Sequence, residues 1–222
     1  FMSEPTEIYS ASISSNGSTT FDARLEQYRS LLTKPAEREV LRRVLDKTGT
    51  SDQKLSYGIG LRMGQRMTAD GFPLNPAAYA LGLEHASGQY GQMFSDEQID
   101  FALSSFQEAR DSGSSVDEFN ETTVSYGVGL RIGQRMLSDD MNIDIVAYTW
   151  ALSDVIEGAT PILTDEQINT AMNRFQDARE QAQADERAAT ARYNYEVGSA
   201  YMNEMALYAS VQTTKSGLQY VV

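Results

Sequence analysis

Residues 57–110 recur, without a gap, at residues 126–179: laid over each other, the two stretches share about 22 of about 54 residues. The shared residues include Y-G-x-G-L-R-x-G-Q-R-M near the start and D-E-Q-I-x-x-A-x-x-x-F-Q-x-A-R at the end. One supersecondary unit has been duplicated, and the residues held in both copies mark the contacts that the unit needs.

Each copy reads as three helices. The first, around residues 58–70, places Tyr57, Gly60, Leu61, Gly64 and Met67 on one face and Arg62 and Arg66 on another, pointing outward. The second begins at Asn75-Pro76 in copy one and at Asp144 in copy two, residue types that suit a helix N-cap. It is expected to bury Ala78, Tyr79 and Leu83, matched by Ala147, Tyr148 and Leu152, with Trp150 also in the core. The third opens on Ser95-Asp96-Glu97-Gln98 and Thr164-Asp165-Glu166-Gln167. Both are capping boxes, and Phe94 with Ile99 and Leu163 with Ile168 add a hydrophobic staple to each. Copy one stops near Arg110. Copy two runs on without proline, with only Gly198 inside, so a continuous helix over 164–209 would hold about 45 residues and reach roughly 68 Å. Its middle, 181–192, is polar nearly all round, as in a helix that bridges two bodies through solvent.

Outside the repeats, residues 1–20, with Ser10, Ser12, Ser14, Ser15, Asn16, Gly17 and Ser18, hold too little apolar surface to offset chain entropy and read as a flexible leader. Two short helices over about 21–47 meet at Pro35; Val40, Leu41, Val44 and Leu45 form their apolar stripe, and the pair is expected to cap the repeats. Residues 111–123 are rich in Ser, Gly and acids and read as a linker able to span about 43 Å. The strand-like run over 213–222 has no partner in sight and reads as the start of another domain. The organisation is then a leader 1–20, N-terminal helices 21–50, repeat 51–112, linker 113–123, repeat 124–180, connecting helix 181–209 and an opening segment 210–222. The fold class is all-α: a duplicated three-helix unit with intertwined helices, followed by a long C-terminal connecting helix.

Gly58, Gly60 and Gly64, with Gly127, Gly129 and Gly133, sit inside helical patterns, where each costs about 1 kcal/mol relative to alanine. Close approach of another helix offsets that loss, because glycines at spacing four open a groove whose walls are recovered as packing. Gly58, Gly60, Leu61, Gly64 and Met67, with Gly127, Gly129, Leu130, Gly133 and Met136, are therefore the expected interlock. A dinucleotide-binding turn fits less well: the third glycine stands at 64 rather than 63, and no hydrophobic strand precedes Tyr57.

Other chemistry is sparse. A formal charge of −13 and a pI near 4.5 repel phosphate backbones and anionic headgroups, which argues against nucleic acid and bare membrane as partners. No apolar run approaches the ~18 residues of a spanning helix, so membrane insertion is not expected. With no cysteine and one histidine, thiolate catalysis and His or Cys metal sites are excluded, and no cofactor is implied. Asp140-x-Asn142-x-Asp144 imitates half a calcium loop, but Ile145 and Ala151 occupy the places of the glycine and the bidentate glutamate, so Asp144 reads as a cap. Asp96-Glu97 and Asp165-Glu166 fit first helical turns better than acid/base chemistry, and His85 reads as a packed or surface imidazole. Most methionines belong to the core; Met63, Met93, Met172, Met202 and Met205 are the candidates for an adaptable apolar client cleft.

The small-residue helix, the Asn-Pro-led second helix, the T/S-D-E-Q third helix ending in F-Q-x-A-R and the long helix leading to Thr213-Thr214-Lys215-Ser216-Gly217-Leu218-Gln219-Tyr220 together resemble the N-terminal region of FKBP-type peptidyl-prolyl isomerases of the Mip-like group. The resemblance covers most of 51–222, and the run from Thr213 to Tyr220 looks like the entry into the FKBP domain. It implies a module in which N-terminal helices of two chains intertwine, a long helix carries the catalytic domains, and the assembly receives unfolded or proline-containing clients. The isomerase pocket of such proteins lies in the FKBP domain, so no catalytic residue is carried over. This sequence departs from the family in holding two units per chain, so an intrachain pseudo-dimer is expected, with a homodimer as the other arrangement. Ser210 stands where relatives have glycine. The resemblance further implies the periplasm or cell envelope of a bacterium; the opening Phe1-Met2 reads as a vector-derived scar, from which a signal could have been trimmed. The functional expectation is a non-catalytic dimerisation and chaperone scaffold. The alternatives are a free-standing helical module for a small apolar ligand or peptide, and an isomerase active in this chain.

Overall fold

The structure, a computed structural model, describes residues 21–114 and 118–221; the leader expected at 1–20 and part of the linker lie outside the described residues. Among the described residues eight helices follow in order: α1 (Phe21–Thr33), α2 (Pro35–Lys47), α3 (Ser51–Ala69), α4 (Pro76–His85), α5 (Asp96–Ser112), α6 (Glu118–Ser138), α7 (Ile145–Ile156) and α8 (Asp165–Met205). Two short strands, β1 (Val211–Thr213) and β2 (Gln219–Val221), close the described chain. The all-α class holds, and the chain divides into two compact units, one ending at Asn173 and one beginning at Arg174.

Local chemistry places the helix starts. Pro35 opens α2, where its missing N–H has no intrahelical partner to lose. Asn75 and Asp144 cap α4 and α7, accepting from the backbone N–H of Ala78 and Ala147. At Ser95 and Thr164 each hydroxyl accepts from the N–H three residues on, and that residue's Gln side chain accepts in return. A third capping box, Thr50 with Gln53, starts α3 at Ser51, well before the expected 58. Likewise α6 begins at Glu118 rather than after 123, because Thr123 and Val124 are buried and packing overrides their weak helix propensity.

In the first unit, helices of one copy pack chiefly on helices of the other. α3 lies against α7, α6 lies against α4, and α4 meets α7 in the middle. Repeat-equivalent residues are offset by 69, as Tyr79 and Tyr148 show, so this is a pseudo-twofold arrangement. Two clusters obey it: Tyr126, Leu130, Ala78 and Ile99 in one, and Tyr57, Leu61, Ala147 and Ile168 in the other. α1 closes the first with Leu25, Tyr28 and Leu31, and α2 closes the second with Leu45. Val40, expected in the apolar stripe of α2, is 41% exposed: it has rotated off the face that carries Leu45, and the side chain of Leu41 lies outside the described residues.

In the second unit, the helix has no buried side chain across 181–192. β1 pairs antiparallel with β2, Val211 opposite Val221, around a turn in which Gly217 takes φ +89. The strand-like tail, expected to be unpaired, therefore finds its partner in Val211–Thr213, a few residues past the end of the helix. Gln219 Nε2 donates to the Met202 carbonyl at 2.7 Å and seats the hairpin on the helix end.

Candidate functional site

The six repeated glycines lie where the pseudo-twofold brings helices into contact. A Cβ on Gly60 would stand 2.5 Å from the Tyr148 carbonyl oxygen and 3.1 Å from the Ala151 Cβ. Its counterpart Gly129 faces the Tyr79 carbonyl, with the carbonyl carbon at 2.9 Å from the same imagined atom. Gly64 meets Leu152 and Val155; Gly133 meets Leu83 and Ala86, the equivalent residues. Gly58 and Gly127 each accept one isoleucine, Ile168 and Ile99, the residues that staple the third helices. Leu61, Met67, Leu130 and Met136 are buried beside them. A seventh glycine, Gly82, had no counterpart to draw attention to it, since Ala151 stands at its place in the second copy; it faces the backbone of Tyr126 and Leu130.

Polar residues fix the register of this interlock. Tyr79 and Tyr148, equivalent to each other, stack at 5.7 Å between centroids and join hydroxyls at 3.1 Å, on the local twofold. Burial raises the Tyr79 hydroxyl to about 12, against a smaller lowering from its bond to Tyr148, and burial also raises Tyr148. Ser56 accepts from the N–H of Asp144 and Ser125 from that of Asn75, each at 2.9 Å, tying the first helix of one copy to the cap of the other. Tyr57 and Tyr126 accept from the N–H of Ile162 and Met93, at 2.7 and 3.0 Å, and so hold the loop before each third helix. Beyond that the copies differ. Tyr57 donates to the fully buried Asp154 at 2.5 Å, whereas Tyr126 pairs with His85 Nδ1 at 3.0 Å. Burial, and then Arg24, lower the His85 imidazole to about 4.

Sequence reasoning did not find this tyrosine, serine and aspartate network. The signal was present: Ser56 and Ser125, one position ahead of the compared stretch, are also identical. His85 is a packed imidazole, 6% exposed. The candidate cleft methionines are distributed: Met63 packs on the central cluster, Met172 on the Tyr57 cluster, Met93 is exposed, and Met202 and Met205 belong to the second unit. Two adjoining clefts, of about 520 and 330 Å³, instead lie between the end of α4 and the loop that leads into α7. Among the described residues no group of three His, Cys, Asp or Glu could hold a metal ion, and no helix is long and apolar enough to cross a membrane.

The duplicated geometry has a counterpart in known sequences. The family model described as the domain amino terminal to FKBP-type peptidyl-prolyl isomerase matches twice, over residues 52–118 and again over 121–222. The chain belongs to this family. The second match of the FKBP amino-terminal domain takes in the long helix and the hairpin as well as the repeat. The chain is also similar to the "Probable FKBP-type peptidyl-prolyl cis-trans isomerase FkpA" of Neisseria meningitidis serogroup B (strain ATCC BAA-335 / MC58), at 33% identity over 102 residues. That alignment spans 45% of this chain and 38% of the relative, so the chain covers well under half of the relative's length. No solved structure matches.

Proposed function

We propose that the chain is a non-catalytic scaffold of the FKBP-type isomerase group that works in protein folding: its interlocked repeats form a body that receives unfolded or proline-containing protein clients. The double match to the domain that stands amino-terminal to the isomerase carries this reading. The interlock supports it physically, because glycine-lined helices seated on backbone make a stiff core whose clefts keep their shape. The intertwining that the family resemblance assigns to two chains is, on this proposal, made between two copies within one, and the native setting is the bacterial cell envelope.

Two measurements on the full chain test the reading. Aggregation of a chemically unfolded client should slow when the chain is present at about equimolar ratio, while isomerisation of a short proline peptide should stay at its uncatalysed rate. Unchanged aggregation removes the client role, and turnover on the peptide removes the word non-catalytic. A solution mass of one chain, 24.6 kDa, is expected, since both copies of the interlock are consumed internally; twice that mass would show that a further self-association surface exists.

A further inference from the structure

The two adjoining clefts share Glu84, Asn142, Ile143 and Ile145 as common wall. Their remaining walls differ in chemistry. The larger presents Asp52 and Asp144 beside Glu84; the smaller presents Leu83, Met136, Leu137 and Met141. No Lys, Arg or His is among the described residues lining either one. Arg24, behind the wall, pairs with Glu84, whose carboxylate the Tyr28 hydroxyl also bonds. Asp52 accepts from Asn142 at 3.0 Å, and Asp144 accepts from Gln53 and caps α7.

The equivalent surface on the other side of the pseudo-twofold differs in chemistry, although Glu121 keeps the acid of Asp52 and Leu152 and Met67 match Leu83 and Met136. What the interlock requires recurs in both copies, as the glycines and tyrosines do. At the equivalent places in the other copy Glu84 becomes Ser153, Tyr90 becomes Ala159 and Asn142 becomes Pro73, while Met141 becomes Phe72, whose ring packs edge-on against Phe106 at 5.1 Å. One half of a symmetric body thus carries three acids, Asp52, Glu84 and Asp144, where the other has Glu121, Ser153 and Asn75. Leu137 is half exposed, and Asp52 and Asn142 are exposed, so the clefts open along one side; an extended chain fits such a surface better than a small ligand, which is bound by enclosure.

We propose that these clefts receive a polypeptide segment that carries a Lys or Arg next to a bulky apolar side chain, the cation facing Asp52 and Glu84 and the apolar group lying among Leu83, Leu137 and Ile143. Charge complementarity selects this occupant: the lining is acidic, and the chain's net charge of −13 draws cationic segments toward it. The inference deepens the client-binding reading and rests on it. Burial of Glu84, which raises its carboxyl above the usual range against the pull of Arg24, leaves a group whose charged form a client cation would favour.

The test uses the full chain and two fluorescein-labelled peptides, identical except for a central Lys-Phe-Leu or Glu-Phe-Leu, followed by anisotropy at low salt and at about 0.5 M salt. The cationic peptide should bind about 5-fold more tightly at low salt, with the preference shrinking as salt rises. Asp52→Asn should reduce that preference, and Leu137→Asp should weaken both peptides; both positions are exposed, so the fold is retained, as circular dichroism would verify. Equal affinity for the two peptides, or binding untouched by both variants, overturns the proposal. Aggregation suppression separates the two readings. If the wild type and both variants suppress equally, the client role stands and the cleft is wrong; if the wild type neither suppresses nor binds, both fall.

Discussion

Replacing Gly60 by alanine adds one methyl group and tests the interlock directly. In an open helix the change should stabilise by about 1 kcal/mol, because glycine has the more mobile unfolded chain. Here the new Cβ would sit 2.5 Å from the Tyr148 carbonyl oxygen and 3.1 Å from both its carbon and the Ala151 Cβ. Two of those three atoms are backbone, so no rotamer change relieves the overlap. α3 and α7 must part locally by about 1 Å, and a gap of that size forfeits a quarter to a half of each dispersion contact across it. Overpacking of this kind costs about 1–3 kcal/mol; taking the upper end against the propensity gain leaves a net loss of about 2 kcal/mol. At about 2–4 °C per kcal/mol for a chain of this size, the melting point should drop by about 4–8 °C. Two variants calibrate the result. Gly64→Ala meets only the side chains of Val155 and Leu152, at 3.2 and 3.3 Å, which can shift, so its change should be near zero. Gly198→Ala has nothing within 4 Å and should only gain helicity. Urea and thermal unfolding of the three decide it: Gly60→Ala at or above the wild-type melting point would refute the reasoning, whatever the other two do.

Three further outcomes follow from the same geometry. The His85 imidazole is lowered to about 4 in the folded chain, by burial and then by Arg24, so it is neutral there while the unfolded chain takes up a proton below about 6.5; stability is complete above that pH and lost as pH falls toward 4, by up to about 3 kcal/mol. Urea midpoints against pH should fall less steeply for His85→Gln over that window, and parallel curves would exclude the mechanism. Asp140 ends α6 at φ +53 where the equivalent Gly71 takes φ +68, so Asp140→Gly should raise the melting point by the equivalent of about 0.5–1 kcal/mol; a lower melting point would show that its side chain is needed. Tyr148→Phe strands the Tyr79 hydroxyl and should destabilise by about 1–2 kcal/mol, while the double change Tyr79→Phe with Tyr148→Phe should fall well short of the summed single losses; additivity in the cycle would mean that the hydroxyls do not interact.

What could be read from the sequence is what the chain settles locally. The boxes at Ser95 and Thr164 declare helix starts because all four residues of each signal are adjacent. The same signal at Thr50 and Gln53 lies ahead of the identical stretch, and its counterpart near Thr122 has no such box, so repetition does not mark it. Glycine spacing announced a close approach without naming the partner: whether Gly60 meets its own copy or the other is a property of topology, fixed by the seat on Tyr148. The short linker follows from burial of Thr123 and Val124, and the hairpin from pairing between segments too short to stand out alone. The cleft was least legible of all, because its walls come from α1, the start of α3, the end of α4 and the loop before α7. The one accessible clue was divergence between equivalent positions, such as Glu84 against Ser153.

That divergence is what joining two copies in one chain makes possible. In a dimer of identical chains, position 85 and its equivalent would have to be the same residue on both sides of the axis; here one tyrosine clamp closes on His85 and the other on Asp154. The N-terminal helices read the difference. Arg24 of α1 pairs with Glu84, and Arg38 of α2 pairs with Asp154 and Glu157. Were α1 to dock on the second cluster in place of α2, Glu84 would lose the Arg24 that offsets its burial, and a buried carboxylate stripped of its partner costs about 3–5 kcal/mol. The two helices are therefore addressed to different copies by charge, although the apolar surfaces they cover are near duplicates. Such addressing fixes which of the two equivalent junctions between copies holds the acidic and apolar clefts, since Tyr28 of α1 and Glu84 contribute to the wall of the larger one.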